Sequence, residues 1–420
     1  VVSGQGDGSR LIADDGTPVR PAIVWQDNRS AALITDWQNE GRAQQVTQYT
    51  RSVLCGSHQT AQLAWLQQHE PEALSRTWKV FFAKDWVMFR LTGLVATDQS
   101  DAGHTYLDAA TRQLEPRILE MLGLDHLRSR LPPVLDAGQN TAQLRPDIAA
   151  EVGLPTGLPV VGAPLDLVCD LLGVGGFAAG VACSVFGTAG VHQVVIDSLP
   201  DSPVETGYTT CLPGKPLWVR FIPTMLAMPN IDYWASLLYG DATASSENYD
   251  SWTLIEERLQ AIPAGAEGVI YLPFLSPAGE RAPRMRPQAK AQFLGMSLLH
   301  DRDHLMRAVY EGLAIAAADS FGHLPPMTRG LRLAGGGAHS ELLAQILADV
   351  LGQPVWAFTN TGARGAALFA AQALGLFSSY EAAYQAMSVG FRICEANPSN
   401  AETYHTLFNR YRELVYGPER

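Results

Sequence analysis

One stretch of this 420-residue chain sets a carboxylate where chemistry can be done: Leu158 to Asp170, LPVVGAPLDLVCD. Its apolar start, Leu158-Pro159-Val160-Val161, has the pattern of a buried strand, and Gly162-Ala163-Pro164 break it. Asp166 follows where a strand hands over to a helix. Ligands of open α/β sheets sit outside the carboxyl ends of strands, so this carboxylate could face a cleft. Asp also suits the N-cap of the helical run Leu167 to Leu172, and both readings stay open. A second feature is the loop Gly4-Gln5-Gly6-Asp7-Gly8, whose glycines let the backbone bend and come close to a ligand. Past the strand ending in Trp25, Asp27 and Arg29 stand two apart. They could orient a polyhydroxy ligand or form a surface ion pair.

Two further features suit an anion. Val181 to Ile196 reads as two strands around Phe186-Gly187-Thr188-Ala189-Gly190, a tight turn offering N–H groups and one hydroxyl to a phosphate. Leu331-Arg332-Leu333-Ala334 reads as a strand ending in Gly335-Gly336-Gly337, and Ser340 then opens a helix over Glu341 to Leu351. Strand, triple glycine and helix start form a place where a flat ring or a phosphate can approach the backbone.

The elements that must position these residues alternate in type. Thr60 to Gln68, Leu114 to Leu124, Ile148 to Gly153, Asn230 to Tyr239, Trp252 to Ala261, His304 to His323, Gly365 to Leu374 and Ala401 to Val415 read as helices. Gly207 to Ile222, Val269 to Leu275 and Pro354 to Phe358 read as strands. The aromatic-rich run from Phe81 to Leu91 is assigned to core packing, and Asp98 to Asp108 to a polar loop, whose Asp101 and His104 could reach a cleft but are read as turn residues. Gly173-Val174-Gly175-Gly176 marks a composition shift, which divides the chain into domains 1–172 and 173–420.

Bulk properties bound the answer. A chain that is 47% hydrophobic and 17% charged is globular with large cores. A net charge of −12 argues against a nucleic-acid partner, because phosphate backbones demand clustered Lys and Arg. Five cysteines, an odd number without CxxC spacing, argue against a disulfide framework or a zinc site and make a reducing cytoplasm the default. No apolar run of transmembrane length occurs, so no membrane partner is expected. The chain opens at Val1 in mid-pattern, which suggests residues before it.

Taken together, these signals resemble the FGGY carbohydrate kinases from Val1 to about Leu376. They are Ser3-Gly4-Gln5 through Gly8, Pro21-Ala22-Ile23 through Trp25 with Asp27 and Arg29, and Pro159-Val160-Val161-Gly162 with Asp166. Gly187-Thr188, Gly279-Glu280-Arg281-Ala282-Pro283, Glu311-Gly312 and Gly335-Gly336-Gly337 complete the set. The resemblance implies an α/β chain of two ribonuclease-H-like, actin-like ATPase domains facing a cleft. The first would hold the sugar, and the second ATP, with Mg²⁺ bridging its phosphates. By the same resemblance Asp166 is the catalytic base. Gly6 and Asp7 contact the sugar, with Trp25, Asp27 and Arg29 as further lining. Thr188 beside Gly187 meets the terminal phosphates, and Gly279, Gly335, Gly336, Gly337 and Ser340 meet the nucleotide. No protein ligand for the metal is assigned.

Two departures stand out. The family's leading Asp-x-Gly-Thr hairpin is absent, which leaves the first domain without its first strands. Gly6-Asp7 stands where a xylulokinase-like chain has Met-His, which turns the expectation toward a tetritol or pentitol beside ketopentoses such as xylulose. No Walker A motif is present, so glycine turns must cradle the phosphates. An actin- or chaperone-like ATP switch without sugar kinase activity is the alternative function, and a homodimer the default assembly.

Overall fold

The computed structural model describes residues 1–136, 138–240, 249–387 and 390–417. It divides into two compact units. The first comprises residues 1–179, 195–220 and 361–388, and the second 180–194, 221–360 and 389–420.

The first unit carries helices packed around short strands. Arg10–Ile12 pairs antiparallel with Lys79–Phe81, and Thr141–Gln143 with Pro159–Val161. Val2 bridges Gly162 in parallel, so the glycine loop and the Asp166 stretch leave the same small sheet side by side. Leu11, Ile23, Leu63, Val80, Phe82 and Tyr106 belong to one buried cluster. The aromatic run assigned to packing does that work: Phe81 and Phe82 are fully buried. The helix Asp166–Gly173 lies against Thr361–Ala373 at backbone distance, since a Cβ on Gly365 would stand 1.8 Å from the Cys169 carbonyl. Only glycine permits that approach.

Among the described residues, the second unit is built around a run of five adjacent strands in the order Gly190–Ile196, Ala182–Phe186, Leu331–Gly335, Val355–Ala357, Arg392–Cys394. The first pair is an antiparallel hairpin, the middle pairs are parallel, and the last pair is antiparallel. Helices Arg302–Gly322 and Glu341–Leu351 contribute Val309, Leu313, Leu343 and Leu347 to its core.

Most expected elements are present within a few residues of their expected ends. The stretch Gly207 to Ile222 is two strands, Tyr208–Leu212 and Leu217–Pro223, because Gly214 at φ 68° turns the chain between them. Asp98 to Asp108 is not an open loop. Asp98 accepts from the Ser100 N–H and caps a short helix, Gln99–Ala102, and Asp101 and His104 are buried. The five cysteines are buried and free of disulfides. No helix among the described residues is long and apolar enough to cross a membrane.

Candidate active site

Asp166 is the first residue of its helix, directly after Gly162-Ala163-Pro164-Leu165. Its backbone N–H donates to the Gly4 carbonyl at 2.9 Å, which ties it to the glycine loop. Its Oδ1 accepts from the Leu167 N–H at 2.7 Å. The residue is open to solvent at its surface, yet it stands deep in the protein mass. That crowding, aided by the charges of Asp170 and Asp7, pushes its carboxyl up to about 6. A carboxylate so placed is half-ionised near pH 6 and basic enough to take a proton from an alcohol.

Asp7 lies in the same unit and is treated in the opposite way. Its backbone sits at φ 57°, a conformation unusual for a residue with a side chain and typical of functional loops. Ser57 donates to Oδ2 at 2.8 Å, and His104 Nε2 to Oδ1 at 2.9 Å. His58 packs edge-on against both His104 and Tyr208. Burial alone would raise the Asp7 carboxyl. His58, His104 and Ser57 outweigh it and hold the carboxyl well below the usual range, so Asp7 stays ionised. Gly6, next to it, is closely packed: a Cβ there would stand 3.3 Å from Leu165 Cδ1 and 3.4 Å from Asp101 Oδ1. Gly6, Asp7 and Asp166 thus share one locality of the first unit. Trp25 is half-buried. Asp27 and Arg29 satisfy each other in a two-pronged pair, Nε–Oδ1 2.9 Å and Nη2–Oδ2 2.7 Å, with Arg29 over the Trp65 ring.

Under this locality Lys84 Nζ meets Asp85 and Asp101 at 2.8 Å each, and Asp98 as well, without solvent access to the ammonium. Sequence reading passed over Ser57, His58 and Lys84, and it set Asp101 and His104 aside as turn residues. His104 lies 97 residues from Asp7, and Ser57 50 residues from it, so no local spacing could pair them.

In the second unit the two glycine turns come together. Gly335 pairs with Phe186 in parallel register, just before Gly187. Gly335 has φ 76°, and a Cβ on it would lie 2.6 Å from the Phe186 carbonyl. One on Gly337 would lie 2.6 Å from Phe186 Cβ. Thr188 at the hairpin tip is exposed. The carbonyls of Gly187 and Thr188 accept from Met228 and Ala227, which fixes the turn against the following helix. Glu280 is buried and accepts from the N–H groups of Met225 and Arg281 at 3.0 and 2.8 Å. This bond joins the Gly279 loop to the segment that holds the turn. Gly279 has φ 77° and no room for a Cβ, which would lie 2.3 Å from the Arg286 carbonyl. Ser340 Oγ accepts from the Leu343 N–H at 2.9 Å as the cap of its helix.

Comparison with known proteins agrees with this arrangement. Residues 1–173 match the model of the N-terminal domain of the FGGY family of carbohydrate kinases, and residues 182–374 that of its C-terminal domain. The chain is 32% identical to the erythritol kinase of Brucella abortus (strain 2308), over 98% of this chain and 81% of that protein. It is 33% identical to the xylulose kinase of Escherichia coli (strain K12), over 88% of this chain and 74% of that protein. The crystal structure of xylulose kinase from Rhodospirillum rubrum superposes with a TM-score of 0.81 at 26% identity, covering 98% of this chain and 83% of that one. Two domain matches, these relatives and the two-unit α/β fold leave one assignment: the chain belongs to the FGGY family of carbohydrate kinases.

Proposed function

We propose that this carbohydrate kinase transfers the γ-phosphoryl group of ATP to a hydroxyl of a small polyol, with Asp166 as general base. The observation that carries the reading is the Asp166 carboxyl, solvent-accessible, raised to about 6, and braced through its N–H to the loop that bears Asp7. Phosphoryl transfer asks mainly for positioning and charge neutralisation, and little covalent work from the protein. Asp166 takes the proton of the attacking hydroxyl as its oxygen closes on the γ-phosphorus. Asp7 aligns the substrate through a second hydroxyl, with Gly6, Trp25, Asp27 and Arg29 as further contacts.

The nucleotide is assigned to the glycine turns. Backbone N–H groups at Gly335, Gly336 and Gly337 and the exposed Thr188 hydroxyl are neutral donors, a set that suits phosphate oxygens. Gly187, Gly279 and Ser340 frame the same surface. Mg²⁺ would come with the ATP phosphates and supply charge neutralisation there.

Asp7 bears on the choice of substrate. Relatives named as erythritol and xylulose kinases are about equally similar to this chain, so identity does not decide. An ionised carboxylate only accepts hydrogen bonds. It suits a hydroxyl and repels the lone pairs of a ketone oxygen, so a tetritol or pentitol fits better than a ketopentose. An unmatched polar contact of this kind costs about 1–3 kcal/mol, roughly 10- to 100-fold in kcat/KM. The test is ATP-dependent phosphorylation across erythritol, pentitols, xylulose, L-xylulose, ribulose and glycerol. The reading expects the highest kcat/KM on an alditol. A clear preference for a ketose removes the polyol assignment, and no turnover of any sugar or polyol removes the whole reading.

A further inference from the structure

The Lys84 cluster takes no part in the chemistry above, and its position gives it one. Four ionisable side chains, Lys84, Asp85, Asp98 and Asp101, are buried together. Burying charges costs several kcal/mol per ion, and a well-packed apolar replacement is often as stable. Stability alone is therefore a weak account of the cluster, and its connections supply a better one. Asp98 Oδ1 accepts from both the N–H and the Oγ–H of Ser100. Ser100 Oγ in turn accepts the N–H of Leu165 at 2.9 Å. Leu165 immediately precedes Asp166, and its N–H lies before the first turn of the Asp166 helix. On its other side the cluster reaches the sugar locality. Asp101 Oδ1 lies beneath Gly6, and His104, three residues on, holds Asp7.

Resting on the reading of Asp166 as base, we propose that the Lys84–Asp98–Ser100 relay is the positioning device of that base. Lys84 fixes Asp98, Asp98 orients the Ser100 hydroxyl so that its lone pair faces Leu165, and Ser100 clamps the backbone from which Asp166 projects. The Asp166 N–H bond to Gly4 and the Ser3 Oγ bond to the Pro164 carbonyl, 2.7 Å, hold the same corner from the opposite side. Small displacements of a reacting group are costly in rate, so a clamp one residue from the base acts on kcat and leaves ground-state binding alone.

The experiment compares Ser100→Ala, Ser100→Thr, Asp166→Asn and the double variant Ser100→Ala/Asp166→Asn with the wild-type chain. The best substrate of the panel is used. Ser100→Ala should lower kcat about 10-fold, leave the sugar and ATP KM values within about twofold, and enlarge the solvent deuterium isotope effect on kcat, since proton transfer becomes slower. Ser100→Thr keeps the hydroxyl and should restore most of the rate. Added to Asp166→Asn, Ser100→Ala should cost nothing further, because the group it positions is already gone. The isotope effect and the double-variant ratio are properties of each folded molecule, so a lower yield of folded protein leaves both readable. Wild-type kcat and isotope effect in Ser100→Ala, or a loss that multiplies in full onto Asp166→Asn, overturns the relay and leaves Asp166 as base. Near-normal kcat in Asp166→Asn alone overturns both.

Discussion

Asp7 and Asp166 are the same residue type in the same unit, and their surroundings push them in opposite directions. Asp7 is partly buried, which by itself disfavours charge, but two imidazoles and the Ser57 hydroxyl more than offset that. Asp166 has more open surface, yet it has carboxylates for company, and the backbone N–H groups of Leu167 and of Asp166 itself do not offset them. The difference matches two tasks. A residue that reads a hydroxyl must be a permanent acceptor, and a residue that takes a proton must be able to hold one. The second unit contrasts with both: there the expected ligand contacts are backbone and the hydroxyl residues Thr188 and Ser340, without a charged side chain among them.

The largest effect should follow from breaking the base. Asp166→Asn keeps the shape and loses the proton acceptor, so kcat should fall about 10²- to 10⁴-fold while ATP affinity stays within about twofold. Steady-state kinetics and nucleotide titration read the two separately. Retention of kcat would mean that the two aspartates do not divide the work as described. Next comes Asp7→Ala, which removes a charge-assisted contact to the substrate. The sugar KM should rise roughly 10- to 100-fold with ATP KM little changed. An equal rise in both would place Asp7 outside the sugar site. Gly335→Ala sharpens the contrast from the other unit. Its Cβ would press on the Phe186 carbonyl at a positive φ, so it should raise the ATP KM several-fold, leave the sugar KM alone, and lower the unfolding temperature by a few degrees. A sugar-selective effect would count against the assignment of the glycine turns to the nucleotide.

How far the site was legible in the sequence follows the range of the forces involved. Ser340 capping Glu341–Leu351, Gly153 ending its helix, the hairpin around Gly187-Thr188 and Asp166 at a strand-to-helix junction are decided within a few residues, and local pattern shows them. The ionisation of Asp7 and Asp166 is decided by partners far along the chain. Asp7 needs His104 and Ser57, Leu165 needs Ser100 from 65 residues away, and none of these distances leaves a spacing to read. The segment Asp98 to Asp108 shows the failure most plainly. Composition suggested a polar loop, but Lys84 pairs with Asp98 and Asp101 of this segment, and with Asp85 beside it, inside the fold, so the polarity is buried.

The smallest effect is also the most discriminating, because it moves one aspartate without touching the other. If Asp166 works as a base, only its ionised form is active, and kcat/KM should fall about tenfold per pH unit below an apparent pKa near 6. Asp7 ionises far lower and contributes nothing to that limb. The same shift has a consequence for stability. A carboxyl raised in the folded state favours folding fully below its unfolded value of 3.8, and that contribution is lost as pH rises through about 6. Asp166→Asn should therefore raise the unfolding temperature at pH 7 to 8 and lose that advantage near pH 4. Asp170 provides the fine control. It sits one helical turn on, accepts from the Thr361 hydroxyl, and its charge helps to raise Asp166. Asp170→Asn keeps the oxygen that Thr361 uses and removes the charge. A unit charge ~6 Å away in water contributes about 0.7 kcal/mol, so the acid limb should move down by roughly half a pH unit with the plateau kcat unchanged. A limb that stays in place under Asp170→Asn, or that lies near pH 4 in the wild type, would mean that the titrating group is another residue.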